Sequence, residues 1–143
     1  MAVTYEKIGY TLIEKGLRDI INDDFQNVYI SNSFNMVGNE CIRINLENSD
    51  NIATTNKYEE REYNIILRYY FNSKIVDNNV NKSIKNKADR LKKKLLDNRT
   101  KTKNWINLDV GLIEYDIQDD ENENNDIYIV QLDLILVNHN VLN

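Results

Sequence analysis

The sequence predicts one α+β domain, with a mostly antiparallel sheet of about five strands and two helices in the order α-β-β-β-α-β-β. Two stretches show the apolar spacing of amphipathic helices, and five show the alternation of half-buried strands. The strand–helix–strand repetition that builds a parallel sheet is missing from the pattern. A length of 143 residues suits a single domain spanning 1–143, because such a chain buries roughly two-thirds of its unfolded surface.

The first predicted helix covers residues 4–21, with Thr4 as a suitable N-cap. Its apolar side chains recur every three or four residues, and they are Tyr5, Ile8, Leu12, Ile13, Leu17, Ile20 and Ile21. Gly9 and Gly16 lie seven residues apart on one face, although a glycine in a helix interior costs about 1 kcal/mol relative to alanine. A close approach of another chain to this face would explain them, and so would glycines that are merely tolerated.

Three strands are predicted next. Residues 28–30 and 41–46 alternate apolar and polar side chains, and a polar loop at 31–39 joins them. A second polar connection, 47–57, leads to the longest pattern, residues 59–71, which is partly apolar on both faces and therefore predicts a central strand. Because loops of this length often serve a partner, we expect both connections to become ordered on assembly.

A second helix and a hairpin complete the domain. The helix is marked by Val80, Ile84, Ala88, Leu91 and Leu95, and Asn98 is expected to supply a left-handed cap. The hairpin strands cover residues 105–117 and 127–137. In the first strand, the apolar residues change from even to odd positions near Gly111, which predicts a β-bulge there.

The composition restricts the classes of function. The net charge of −5 argues against nucleic-acid binding by the whole surface, because phosphate recognition needs clustered positive charge. Cys41 is the only cysteine, and the sequence starts without the basic and apolar segments of a secretory signal, so we expect a reducing, cytosol-like compartment. Gln131 and Asp133 interrupt the longest apolar stretch, so no membrane partner is expected.

Recognisable catalytic groups are missing from the sequence. The only histidine, His139, lies close to the C-terminus, and Cys41 is on a predicted strand without a nearby base. Asp109 and Glu114 resemble carboxylates of metal-dependent nucleases, but no lysine follows Glu114 in the required alternation. The glycines are isolated and form no phosphate-binding loop. We therefore expect a non-enzymatic protein without a cofactor.

Acidic residues crowd the connection 118–126 of the hairpin. They are Asp119, Asp120, Glu121, Glu123 and Asp126. Their spacing lacks the glycine turn and the closing glutamate of a calcium-binding EF-hand loop. A solvated hairpin tip without a metal is therefore favoured over a calcium site.

Positive charge is concentrated in residues 82–103, directly before the acidic hairpin. The basic residues there are Lys82, Lys85, Lys87, Arg90, Lys92, Lys93, Lys94, Arg99, Lys101 and Lys103. They could simply solvate an exposed helix face, or they could track a phosphate backbone, although aromatic residues for base stacking are missing. In a third interpretation, a basic surface of one subunit meets an acidic surface of the next, as in a head-to-tail ring. The candidate interface residues are Lys92, Lys93, Lys94, Gly9 and Gly16.

The order of elements, together with local patterns, resembles bacteriophage tail terminator (tail completion) proteins. The likeness rests on the opening helix, on the single long second helix, on the closing strand pair, and on the stretches NVYI at 27–30, EREY at 60–63 and RYYF at 68–71. It spans nearly the whole chain and concerns topology and size rather than invariant motifs. No family residue role is therefore carried over to a position in this sequence.

The resemblance implies a non-enzymatic protein of the virion neck, assembled in the host cytoplasm. Such proteins form a hexameric ring that caps the tail tube, stops its polymerisation and docks the head connector or stopper protein, and DNA passes through an acidic lumen without specific binding. The acidic loop is then expected to face the channel, and the lysine-rich helix to face the next subunit or the tube. Alternatives are a neck stopper or adaptor, a small nucleic-acid-associated protein using residues 82–103, and a metal-dependent nuclease.

Overall fold

A computed structural model describes residues 9–30, 38–72, 80–100, 105–120 and 125–141. Two helices and one five-stranded mixed sheet confirm the α+β class and the order of elements. The elements are α1 (Gly9–Asn22), β1 (Val28–Ile30), β2 (Glu40–Thr54), β3 (Tyr58–Asn72), α2 (Val80–Asp97), β4 (Asn107–Asp120) and β5 (Asn125–Val141). The first part of the predicted opening helix, residues 4–8, lies outside the described residues.

The strands are arranged β1-β2-β3-β5-β4, so β3 is central, as its two partly apolar faces predict. Only β1 and β2 run parallel; the other neighbours are antiparallel. β4 therefore forms one edge of the sheet over fourteen residues, whereas the opposite edge strand, β1, has only three.

Both helices pack on the same face of the sheet. Alternate residues of β2, β3 and β5 point to this face, and they form a single buried cluster with α1 and α2. The helix residues of the cluster are Ile13, Leu17, Ile21, Ile84, Ala88, Leu91 and Leu95. The helical spacing read from the sequence therefore identifies the buried side of each helix correctly. The other face of the sheet carries no helix of the described chain.

The predicted loop 47–57 is wrong in extent, because β2 continues to Thr54 and pairs with β3 as far as Glu59. We call residues 47–62 the arm. Every β2 residue from Glu47 to Thr54 is exposed, so no buried face imposes an apolar alternation that a sequence could display. Backbone pairing builds this part of the strand, together with polar contacts across the two strands, such as the hydrogen bond from Arg61 Nη1 to Ser49 Oγ at 3.1 Å.

Two expectations for the last third also need correction. The acidic connection is shorter than predicted, because strand pairing continues to Asp119 opposite Asp126 and Asp120 opposite Asn125. Asn98 does not adopt a left-handed backbone. Instead, its side-chain amide donates to the Lys94 carbonyl at 2.9 Å and its own carbonyl accepts from the Trp105 indole at 3.1 Å. The bulge predicted near Gly111 is confirmed by the register shift between Val110 and Ile113.

Candidate interaction surfaces

The edge strand β4 presents large apolar side chains to solvent. They are Leu112 (59 % exposed), Ile117 (55 %), Tyr115 (48 %) and, just before the strand, Ile106 (46 %). An uncovered edge with apolar side chains pairs readily with another chain unless charges interrupt it. β4 also carries Asp109, Glu114 and Asp116. These charges reduce the tendency of the strand to pair with another chain but do not remove it.

The bulge explains why Leu112 is exposed although the sequence pattern groups it with Leu108 and Val110. Leu108 is buried and Val110 packs against the core. The register shift after Val110 then turns Ile113 toward the core. Leu112 is left on the outside, because a bulge places two residues opposite one and reverses the alternation.

A groove lies between β4 and the first turns of α2. Its lining consists of Ile84, Lys85, Tyr115, Asp116 and Ile117, around a hollow of about 360 Å³. Ile84 is buried at 8 % exposure and forms the floor, while Tyr115 and Ile117 form the exposed wall. We call this set of five residues the edge groove.

The lysines of α2 do not form one free basic patch. Lys94 Nζ lies 2.7 Å from Asp24 Oδ2, beyond the end of α1, and this hydrogen bond raises the pKa of Lys94. Lys93 pairs with Asp97 at 2.9 Å within the helix. Of the three predicted interface lysines, Lys94 thus joins the two helices of its own chain, and Lys92 is the exposed one without a described ion pair.

Other basic residues of α2 also contact the body of the protein. Lys87 Nζ lies 3.9 Å from Glu40 Oε1 and 5.3 Å from the centre of the Phe71 ring. The Arg90 guanidinium lies 5.2 Å from the centre of the Phe25 ring. These contacts turn part of the helix charge toward α1 and the sheet, so the outward charge is smaller than the sequence count indicates.

The predicted glycine face belongs to the core side of α1. Gly16 is buried, and it lies one helical turn from both Ile13 and Ile20. Gly9 is the first residue of the helix. Gly16 therefore lies against the body of its own chain.

The acidic hairpin is described only in part. Asp119 and Asp120 end β4, and Asp126 lies near the start of β5, where it is the backbone partner of Asp119. Glu121 and Glu123 lie outside the described residues. The structure thus brings three of the five predicted acidic residues to one end of the sheet.

The open face of the sheet carries a polar row across its strands. Arg43 lies 4.9 Å from the ring centre of Tyr29, and Arg68 donates from Nε to Gln131 Oε1 at 2.9 Å. In the neighbouring row, burial raises the pKa of Tyr70, whose side chain lies beside Arg68. These contacts hold the arginines within the sheet. A hollow of about 410 Å³ lies beside the row, and its lining consists of Arg68, Tyr70, Glu114, Tyr115, Asp116, Ile129 and Gln131.

The arrangement of the ionisable groups offers no recognisable chemistry within the described ranges. Asp109 and Glu114 pair with Ile135 and Gln131, four residues apart on β5, about 13 Å at the usual rise of a strand. That separation is too long for both carboxylates to bind one metal ion. No group of three or more potential metal ligands occurs among the described residues, and neither described helix has the length and apolarity needed to span a membrane.

His139 and Cys41 lie in different environments, one exposed and the other buried. His139 Nε2 is 2.8 Å from Glu60 Oε1 at an exposed position on the β3–β5 ladder. Cys41 is fully buried on β2. A buried thiol opposite Tyr70 acts as a small core side chain rather than as a nucleophile.

The arm is the feature that sequence reasoning missed. Ile52 and Tyr58 are each 49 % exposed; Ile52 lies two residues before the end of β2, and Tyr58 is the first residue of β3. The only sequence signal for them is a pair of isolated apolar residues in a polar stretch.

A search with protein-family models finds no matching family, and a comparison with curated proteins finds no matching relative.

Proposed function

We propose that this protein is a non-enzymatic structural component of the phage head–tail junction, a ring-forming tail terminator that caps the tail tube and docks the head connector. Its partners are further copies of itself, the tail tube protein and the connector or stopper protein, and DNA passes through without specific binding. The mechanism is geometric. Identical subunits associate until the ring closes, and the closed ring offers no surface for a further tube ring.

The exposed β4 edge is the observation that carries this proposal. A fourteen-residue edge strand with Leu112, Tyr115 and Ile117 about half exposed or more is a liability for a solitary molecule in solution. Such a surface is explained when another protein covers it.

The confirmed order of elements supports the resemblance on which the more specific part of the proposal rests. The same order suits a neck stopper or adaptor, which would use self-association in the same way. A nucleic-acid-binding role for residues 82–103 has less support. Lys87, Lys93 and Lys94 each pair with an acidic residue of their own chain, and such pairing reduces the charge available to phosphates.

The proposal is tested by light scattering coupled to size-exclusion chromatography, at low and high salt, followed by electron microscopy of any large species. We expect closed rings whose mass is a fixed multiple of 16.9 kDa. In a second assay, the purified ring is added to the polymerising tail tube protein, and we expect shorter tubes with the ring at one end. A solitary chain at all concentrations, with salt-sensitive binding to DNA, would contradict the proposal and favour the nucleic-acid alternative.

A further inference from the structure

We infer that the arm of one copy of this chain docks in the edge groove of the next copy. This inference rests on the proposed ring and names the two surfaces that join its subunits. The arm consists of residues 47–62, and the edge groove consists of Ile84, Lys85, Tyr115, Asp116 and Ile117.

Among the described residues, the arm has few packing partners in its own chain: it pairs with the end of β5, and His139 contacts both Glu60 and the Tyr58 ring. The helix-covered core ends at Tyr63 of β3 and Leu136 of β5. Beyond it Asn138 of β5 is still buried, but every β2 residue of the arm is exposed. Exposed strands that bury little apolar surface gain little from their own side chains. Ile52 and Tyr58 are nonetheless half exposed near its tip. Burial of these two side chains in another molecule would supply the missing stabilisation.

The arm is shaped to bind through its side chains and not through its backbone edge. The register of β2 against β3 shifts twice, between Leu46 and Asn48 and between Asn51 and Ala53. Bulges twist an edge strand and interrupt the regular row of backbone groups that another strand needs for pairing. The second bulge contains Ile52, and the bulges therefore disfavour open-ended strand addition at the arm.

The edge groove provides a complementary apolar surface. Tyr115 and Ile117 are on the helix-facing side of β4, but α2 does not cover them, and their side chains remain 48 % and 55 % exposed. Lys85 is on the rim and is exposed. Asp116, also exposed, completes the lining. An apolar wall with one basic and one acidic neighbour suits an apolar segment that carries charges of both signs, such as Tyr58 between Lys57 and Glu59.

The charges of the two elements are opposite. The arm contains five acidic residues and two basic ones, a net charge of −3. In α2, Lys87, Lys93 and Lys94 pair with acidic residues of their own chain, which leaves four basic residues and one acidic residue, a net charge of +3. Arg61, one of the two basic residues of the arm, is already held by both oxygens of Glu59. Attraction between the arm and α2 orients two copies as they meet. Repulsion between like charges disfavours contact between two arms.

The arm and the edge groove cannot meet within one molecule. Tyr58 pairs with Val141 at one end of the sheet, and Phe71 pairs with Tyr128, the partner of Ile117, at the other end. Thirteen residues of β3 separate the two ends, about 43 Å along an extended strand. The contact is therefore between copies, and because it joins two different surfaces it propagates head to tail and can close a ring.

The test uses two variants of the full-length protein that remove opposite halves of the contact. The arm variant is Ile52→Ser with Tyr58→Ser, and the groove variant is Tyr115→Ser with Ile117→Ser. All four side chains are about half exposed, so thermal unfolding should show both variants folded. Each variant alone should associate at least tenfold more weakly than the wild type, measured by sedimentation equilibrium or light scattering.

Mixing the two variants gives the decisive measurement. Each retains the half that the other lacks, so an equimolar mixture should form a dimer of about 34 kDa, twice the 16.9 kDa chain, and no ring. A matched control is Ile30→Ser, which removes an exposed apolar side chain of β1, 38 % exposed, on the opposite edge of the sheet and outside both surfaces. This control should assemble like the wild type.

The possible failures are distinguishable. A wild type that assembles while the arm variant assembles equally well overturns the inference and leaves the proposed ring standing. Loss of assembly in the groove variant alone, with no complementation on mixing, would indicate that two β4 edges pair with each other, and this also overturns it. A wild type that never assembles contradicts the proposed function itself.

Discussion

The Tyr69 hydroxyl allows a quantitative prediction about the core. Tyr69 is on the central strand with no exposed surface, and within the described part of the chain its hydroxyl has no hydrogen-bond partner. Its ring packs edge-on against Phe25 at 5.7 Å and Phe71 at 5.3 Å. Tyr69→Phe keeps these ring contacts and removes only the unpartnered oxygen. We therefore expect the variant to be more stable than the wild type.

The magnitude follows from two opposing effects. Burying a hydroxyl without a hydrogen bond costs roughly 1–3 kcal/mol, judged from mutations in proteins. Its removal leaves a void no larger than a methyl group, which costs at most about 1 kcal/mol. The expected gain in the free energy of unfolding is therefore about 1 kcal/mol. For a domain of this size such a gain raises the melting temperature by about 4 °C.

Thermal unfolding followed by circular dichroism, at one fixed protein concentration, measures this gain; the concentration matters because self-association also raises the melting temperature. Tyr128→Phe is the matched control, since Tyr128 is 5 % exposed and packs on Phe71 at 5.8 Å. We expect that control to change stability by less than about 0.5 kcal/mol. A loss of stability in Tyr69→Phe, with Tyr128→Phe unchanged, would refute the reasoning and indicate a water bound to the hydroxyl.

Three further predictions concern charge and packing. Burial raises the pKa of Glu14, so the charged carboxylate destabilises the folded protein at a pH above that pKa. Glu14→Gln should therefore raise the melting temperature at neutral pH. The difference between variant and wild type should disappear near pH 4, where the carboxyl protonates. Lys94→Glu should lower the melting temperature, and adding Asp24→Lys should restore it by re-forming the 2.7 Å pair in reverse, whereas Lys92→Glu should leave it unchanged. Leu67→Ala, at a position with no exposed surface on the central strand, should cost about 3 kcal/mol in urea unfolding.

Much of the fold is readable from the sequence because burial leaves a periodic trace. The spacing of Ile13, Leu17 and Ile21 indicates the helix and its buried side, and the structure has all three fully buried. The two partly apolar faces of β3 predict its central position. The phase shift near Gly111 predicts the bulge. In each case one side chain after another meets the same core, so the order of residues records the geometry.

The interaction surfaces were decided by the tertiary structure. The lysines of α2 look equivalent in sequence, but Lys94 is held by Asp24, seventy residues earlier in the chain, while Lys92 points to solvent. Which strand forms the edge depends on the pairing of β4 with β5 and not with β3. No local pattern reports such pairing.

The arm marks the limit of sequence reasoning most clearly. Its residues follow the same extended path as the buried strands, yet a strand that buries neither face carries no apolar alternation. The sequence by itself therefore determined the helices, the buried strands and the charge along the chain. Only the tertiary structure decided which end of the sheet extends past the core and which edge remains uncovered, because both depend on contacts between residues far apart in the chain.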